Sequence, residues 1–438
     1  MKARTFPGGI HPAYRKLTAQ SPIRDLTPPP QVVIPLHQHT GAPCQPLVQK
    51  GDTVLKGQKI GDVEAAVAAP VHASLPGRVV AVEPRPHPAG RDVPAVVVEW
   101  DGSDAAVDVG PYPDPDDLEP ARIAEIIREG GLVGLGGAAF PTAVKVRPPA
   151  GTVIDTYILN GAECEPFLTA DHRLMVEDPR SILLGLRALM KAAGALRAIV
   201  AIEDNKPDAV EAMTAATRGM PEVSVEVVHT KYPQGSEKHL IKALLGREVP
   251  SGGLPFHVGV IVSNVGTAAA VGELFATGMP LIRRVVTVTG KVRAPANLRV
   301  PIGTPFSYLV EAAGGFDGEP YKVVAGGPMM GVAQYTLDVP VVKGTSGVLV
   351  LGPGDRIPES TACVRCGRCV ESCPMRLLPL YLEAYYRAGM IDRAETLHAM
   401  DCIECGCCSW VCPARRPLVQ AIRLAKMEIA ARRRKAAP

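Results

Sequence analysis

The pattern of apolar and polar positions changes period several times along the chain, and each change predicts a different kind of unit. Up to Pro30 there is little pattern. Prolines and glycines are dense, and Pro28, Pro29 and Pro30 stop any helix, so this stretch predicts an extended arm lying over another domain. Short alternating runs follow: Val32-Val33-Ile34, Pro46-Leu47-Val48, Gly51 to Val54, Gly57 to Gly61 and Gly77 to Val82, separated by turn residues. They predict a compact all-β unit. A helix from Leu118 to Glu129, with Asp116 and Asp117 placed to cap it, leads into a glycine-rich loop. From Thr152 strands and helices alternate: strand Val153 to Leu159, helix Ser181 to Ala193, strand Ala198 to Ile202, helix Asp208 to Thr217, strand Val223 to Val228 and strand Val258 to Val262. That order predicts a mostly parallel α/β sheet. A smaller unit comes next, with strand Arg283 to Val292, helix Pro305 to Gly314 capped by Thr304, and Tyr321 to Pro328 running from strand into turn. Helices Leu377 to Tyr386 and Leu418 to Ala431 flank the last two cysteine-rich stretches. The chain is thus a multidomain α/β protein, divided at 1–112, 113–280, 281–350 and 351–438.

Those cysteine stretches carry the most specific chemistry. One reads Cys363-x2-Cys366-x2-Cys369-x3-Cys373-Pro374 and the other Cys402-x2-Cys405-x2-Cys408-x3-Cys412-Pro413. Three thiolates at two-residue spacing cap one face of an iron-sulfur cube, and the fourth reaches the cube of the other run. The expected ligand sets are therefore Cys363, Cys366, Cys369 and Cys412 for one 4Fe-4S cluster, and Cys402, Cys405, Cys408 and Cys373 for the other. Structural zinc, the alternative for C-x2-C pairs, takes two pairs per metal instead. Cys407 breaks the spacing and is read as a non-ligand.

In the α/β part, ligands are expected beyond the carboxyl ends of the strands. Polar runs fall there: Asn160-Gly161-Ala162-Glu163-Cys164-Glu165, Tyr232 to Glu237, and Ser263 to Thr267 at a helix start suited to phosphate. Glu163 and Glu165 alternate and are expected on one side of their loop, hydrogen-bonding a ribose or a ring. Gly134-x-Gly136-x-x-Ala139 matches a dinucleotide fingerprint in form but follows a helix rather than a strand. Its use is close backbone approach to a flat or phosphorylated ligand, with Lys145 supplying a cation. The leading β unit resembles the biotinyl and lipoyl carrier sandwich, yet no lysine stands between Lys59 and Lys145. It reads as a docking module. His37, His39, His72 and His87 show no metal-ligand spacing and read as surface or packing residues.

Composition narrows the setting. Eight of the 11 cysteines are taken by the two runs, which argues for a reducing compartment and against a disulfide framework. Neither a signal peptide nor an apolar run long enough to span a membrane is expected. A net charge of +3 is too small to point to nucleic acid. The tail from Arg415 to Lys435 is locally basic, suited to an acidic lipid surface or an acidic partner.

Taken with "FPGGIHP" at Phe6 to Pro12, "GLGGAAFPTAVK" at Gly134 to Lys145, "NGAECEPFLTADHRLM" at Asn160 to Met175, "YPQGSEKHLI" at Tyr232 to Ile241 and "SNVGTAAAV" at Ser263 to Val271, the whole chain resembles the RnfC (RsxC) family. These are subunits of the membrane-bound Rnf ferredoxin:NAD oxidoreductase complex. The middle is similar to the NADH-binding flavoprotein subunit of respiratory complex I. The resemblance implies a carrier-like β-sandwich, a Rossmann-like flavin and NADH-binding domain, a soluble-ligand-binding β-grasp domain and a helical two-cluster ferredoxin-like domain. It also implies non-covalent FMN held by Gly136, Gly137, Lys145, Asn160, Glu163, Tyr232, Gly235, Asn264 and Thr267. Phe140, Glu165 and Glu237 would face NAD(H), the two acids as catalytic residues. The chain departs from the complex I pattern in reading Gly-Ala-Ala-Phe at 137–140 and Gly235-Ser236-Glu237, with one acidic contact fewer. The implied role is a peripheral subunit on the cytoplasmic face of the bacterial membrane. It would exchange electrons with NAD(H) and, through membrane-embedded and ferredoxin-like subunits, with ferredoxin, while other subunits translocate ions. Two alternatives share parts of this pattern: a soluble cobalamin reductase of the propanediol-utilisation type, and an electron-wire scaffold whose nucleotide pocket is dead. The leading carrier-like domain favours the Rnf reading over the first, and Lys145, Glu165 and Glu237 argue against the second.

Overall fold

The computed structural model describes residues 4–436; the outermost residues of the expected first and last spans lie outside them. Four strands make the central sheet, all parallel, in the order Val223–Val228, Arg197–Glu203, Thr156–Gly161, Val260–Asn264. The chain leaves Thr156–Gly161 toward one edge and returns on its other side. The switch of direction falls between Thr156–Gly161 and Val260–Asn264, where Asn160 and Asn264 lie side by side in register. That is where a parallel α/β sheet opens a crevice for ligand.

Helices Pro179–Ala193 and Val265–Thr277 cover one face, packed nearly backbone to backbone. A Cβ on Gly185 would lie 1.8 Å from the Ala268 carbonyl oxygen, and one on Gly272 1.9 Å from that of Ser181. Only glycine fits at this crossing. The close approach fixes the start of Val265–Thr277, and with it one wall of the crevice. Asp178 caps Pro179–Ala193 through the Ser181 N–H, whereas Pro120–Glu129 begins at Glu119 without a side-chain cap. Asp116 and Asp117 instead form a separate turn, and Asp116 pairs with Arg187. Thr304 likewise does not cap its helix; its hydroxyl donates to the Pro301 carbonyl while Pro305 takes the cap position.

Around Ile34, Ile60, Val79, Val96 and Val98 the leading β unit builds its own core. Its main element is the hairpin of Gly77–His87 with Arg91–Trp100. The second sheet unit has six strands, and its edge strand is borrowed: Ile23–Asp25 of the arm pairs in parallel with Ala296–Pro301. The arm also reaches the cysteine region, where the Gly9 N–H donates to the Ser372 carbonyl and Phe6 lies 4.6 Å from the His239 ring. Leu382, Ile391, Ile422, Ala425 and Ile429 pack the final helices. Among the described residues no helix is long and apolar enough to cross a membrane.

Candidate redox site

The eight motif cysteines surround two separate cavities. Cys363, Cys366, Cys369 and Cys412 line one. Cys373, Cys402, Cys405 and Cys408 line the other, with Cys407 beside them. Each run thus sends its fourth cysteine across to the other. Among the described residues no three His, Cys, Asp or Glu side chains close on a single ion; the thiols ring a space instead of converging on a point, as ligands of a cube must. Chain reversals make this possible: Arg365, Gly367, Glu404 and Gly406 all have positive φ, and the Arg365 and Glu404 N–H groups donate to Cys363 and Cys402 sulfur at 3.4 Å.

The two cavities sit differently. Cys363 and Cys366 are exposed, with Val364 and Ile357 about two-thirds accessible beside Arg365 and Arg368. The second, internal one lies deeper, with Cys405 and Cys408 buried and Cys373 and Cys402 half-buried. Ile10, Cys164, Tyr232, Met329, Ile403 and Val411 pack around Cys405 and Cys407. Tyr232 is fully buried, and its hydroxyl donates to the Cys405 carbonyl at 2.8 Å. Burial pushes its own titration far up, so the phenol stays a donor.

On the other side of Tyr232 lies the crevice. Leu135 is gripped at both ends, its N–H by Thr267 Oγ1 at 2.9 Å and its carbonyl by Arg284 at 2.8 Å. This leaves Gly136, Gly137 and Ala138 exposed. Nothing lies within 4 Å of where a Gly137 Cβ would stand, so the backbone there is open to close approach. Ala139 has φ +49°, a left-handed position that costs an alanine about 1 kcal/mol; it is the position at which the complex I pattern carries glycine. Phe140 is half-buried. Lys145 and Glu237 face each other in an ion pair, with Glu237 at the start of Glu237–Leu245.

Other expected site residues are tied into the scaffold. Asn160 accepts from the Ala162 N–H and donates to the Gly235 carbonyl at 2.8 Å. Asn264 caps Val265–Thr277 through the Gly266 N–H and donates to Asp171 at 2.6 Å. Glu163 and Glu165 do not share one side of their loop, because Glu163 is left-handed at φ +48° and breaks the alternation. The Glu163 carboxylate accepts from the Asp171 and His172 N–H groups at the start of Ala170–Glu177, a favourable place for an anion. Glu165 turns the opposite way and accepts from the Met329 and Met330 N–H groups of the turn after strand Lys322–Ala325. Burial pushes its carboxyl up to about 7 even though those N–H groups pull it down. Asp171, half-buried beside Glu163, is pushed up as well, by desolvation first and by the Glu163 charge second.

Lys16, Lys206 and Arg284 also position this crevice, and none of them is signalled by a motif. Burial draws Arg284 down to about 10, a value at which it remains charged. Lys206 had a signal of a kind, standing just past a strand's carboxyl end; Lys16 and Arg284 had none.

Compared with known proteins, residues 4–103 match the RnfC barrel sandwich hybrid domain, 127–273 the Nuo51 FMN-binding domain, 285–333 the SLBB domain and 362–415 a 4Fe-4S dicluster domain. The chain is 48% identical to the RnfC-type component of the Na(+)-translocating ferredoxin:NAD(+) oxidoreductase complex of Acetobacterium woodii, covering 99% of both chains. The chain belongs to the RnfC family. Other members include the corresponding component of the proton-translocating ferredoxin:NAD(+) oxidoreductase complex of Clostridium ljungdahlii, 46% identical over 97% of this chain and 94% of that one. The matching component of the ion-translocating oxidoreductase complex of Rhodobacter capsulatus is 44% identical over 99% and 84%. An NAD+-reducing NiFe hydrogenase in its H2-reduced state shares the fold, with a TM-score of 0.51 at 22% identity over 73% of this chain and 62% of that one. The RnfC-family chain thus combines the barrel-sandwich, Rossmann-like, β-grasp and helical iron-sulfur parts expected of it. FMN fits the crevice by what the chain offers there: open glycine backbone at Gly136 and Gly137, a helix start at Val265–Thr277, and Lys145.

Proposed function

We propose that electrons cross this chain in a fixed order, from NAD(H) to FMN in the crevice, to the cluster of the internal cavity, to the cluster of the exposed cavity, and out to an acidic one-electron carrier, or the reverse. The frame for that order is the family: with its FMN-binding and dicluster domains, the chain is an oxidoreductase subunit that relays electrons among NAD(H), FMN and 4Fe-4S clusters. FMN, when bound, exchanges two electrons with NAD(H) and one at a time with clusters. Within that frame Gly136, Gly137 and Lys145 would touch FMN directly. Asn160, Glu163, Tyr232, Gly235, Asn264 and Thr267 would hold the surrounding backbone, and Phe140, Glu165 and Glu237 would lie toward NAD(H). The work divides over spans 1–112, 113–280, 281–350 and 351–438.

One observation carries the order: Tyr232 is bonded to the Cys405 carbonyl, and three residues on Gly235 is bonded to Asn160. Crevice and internal cavity therefore share a wall, while the other cavity opens to solvent among arginines. The acidic carrier fits a ferredoxin-like subunit of the Rnf complex and, beyond it, ferredoxin. We place the chain at the cytoplasmic face of the membrane, held by partner subunits. Anaerobic purification followed by iron and flavin quantitation and an NADH titration tests the reading. About eight irons with one FMN, and paramagnetic cluster signals on adding NADH, are expected. Flavin that NADH does not reduce would sink it.

A further inference from the structure

The loop from Ala162 to Leu168 rests on two ammonium groups, that of fully buried Lys206 and that of half-buried Lys16, and the second comes from outside its domain. Lys16 of the arm donates to the carbonyl oxygens of Glu163 at 2.8 Å, Glu165 at 2.9 Å and Leu168 at 2.6 Å. Lys206 donates to the Ala162 carbonyl at 2.6 Å and to Glu203 and Asn205 at 2.9 Å. An ammonium has three N–H donors and a neutral amine two, so three acceptors apiece call for the charged form at both. Burial draws Lys16 down, with the Glu163 charge opposing.

The two cations differ in how they are balanced. Lys206 pairs with Glu203, whose side chain is wholly inaccessible. Among the described residues Lys16 hydrogen-bonds to carbonyl oxygens and to no carboxylate; the charged and titratable groups around it are Glu163, Glu165, Asp171, Glu203, Lys206 and Cys164. A half-buried cation without a bonded carboxylate gives up part of its hydration, a cost that a neutral side chain serving only to pack would not carry. In a trans peptide the N–H points away from the preceding carbonyl. With the Ala162 and Glu163 carbonyls turned down onto the lysines, the Glu163 and Cys164 N–H groups turn to the other side, and neither meets an acceptor among the described residues.

We propose that Lys16 is a positioning residue for the redox site: it holds the loop with carbonyls down and amides up, and lends the site a positive charge favouring the reduced flavin. This rests on the reading of the crevice as the FMN site. Hydride transfer from NADH breaks a C–H bond of the nicotinamide and delivers two electrons and one proton to the flavin, which gains one negative charge while NAD+ leaves. A fixed cation nearby stabilises that product over the oxidised form. Lys16 lies in the segment matching the RnfC barrel domain and outside the FMN-binding match, so the flavin domain is completed in trans by its neighbour.

The test uses the full chain, purified anaerobically with FMN, and reads the reduced-to-oxidised flavin ratio at fixed NADH:NAD+ ratios. Wild-type protein that binds no FMN refutes the crevice reading itself. Given wild-type binding, Lys16→Met and Lys16→Gln are each expected to lower the ratio about tenfold, about 30 mV for a two-electron couple. Lys16→Gln keeps amide donors for the carbonyls without the charge, so it carries the test should Lys16→Met fail to fold. Tyr14→Phe, which removes a buried hydroxyl with no partner among the described residues, is expected to leave the ratio unchanged. Neutral variants that keep FMN at the wild-type ratio overturn the proposal. If both lose FMN while retaining their iron, restoration of flavin and ratio by Lys16→Arg supports it, and failure of that rescue overturns it.

Discussion

The two cysteine cavities are built from the same spacing, yet the cysteines of one stand partly at the surface while those of the other are covered by neighbouring parts of the chain. The exposed one has Cys363 and Cys366 at the surface with arginines around them. The internal one is flanked by Tyr232, Ile10 and Met329, residues from three other parts of the chain. The difference is therefore not written in the motif. It comes from what docks against each copy, and in the order proposed above it would make two equivalent clusters an entrance and an exit.

Breaking the fourth ligand of each run gives the largest effect. Cys373→Ala is expected to abolish NADH-driven paramagnetic signals from both clusters, because it removes a ligand of the internal one. Cys412→Ala should leave the internal cluster reducible and cut electron delivery to an external acceptor at least 100-fold, an order-of-magnitude expectation for a lost relay. The reverse outcome would mean that each run serves its own cluster, and the order proposed above would fall with it.

Proton chemistry distinguishes the regions next. Glu165, beside the internal wall, titrates near 7 instead of 4.5, so the folded chain holds a proton that the unfolded chain releases between those values. Its contribution is intact below pH 4.5, is lost as pH rises to about 7, and is flat above. The full shift corresponds to up to about 3 kcal/mol. Thermal unfolding at pH 5 and pH 8 should show a fall in the wild type that is smaller in Glu165→Gln; equal falls would mean the carboxyl titrates normally. At the exposed rim, Arg365→Glu with Arg368→Glu should raise the KM for an acidic carrier about tenfold at low salt, less at high salt, with the KM for NADH unmoved. The smallest effect belongs to Tyr232→Phe, which removes one hydrogen bond to the Cys405 carbonyl and should cost about 1 kcal/mol in unfolding free energy.

Local pattern was enough for the parallel sheet, since Val223–Val228 and its neighbours carry their own hydrophobic periodicity. The cysteine spacing likewise announced the clusters on its own. Other features needed tertiary information. Ile23–Asp25 is only three residues long and finds its sheet in a distant unit. Arg91–Trp100 carries a proline at Pro94 and a run of valines in place of alternation, which hides a strand from a period-two reading. The two acids at 163 and 165 look alike in sequence, and a single left-handed residue sends them to opposite structures. Lys16 and Arg284 serve the crevice from units that do not contain it, and no spacing rule reaches across such a distance.

The arm that brings Lys16 also bonds to Ser372 and to Tyr232, so residues near the start of the chain close over residues near its end. During synthesis the arm must therefore wait, undocked, until the second half of the molecule has emerged. Until it docks, Gly8 and Gly9 do not cover the Cys373 and Tyr232 backbone, and one side of the internal cavity stands uncovered. The latch that encloses the inner cluster also sets a window for loading it.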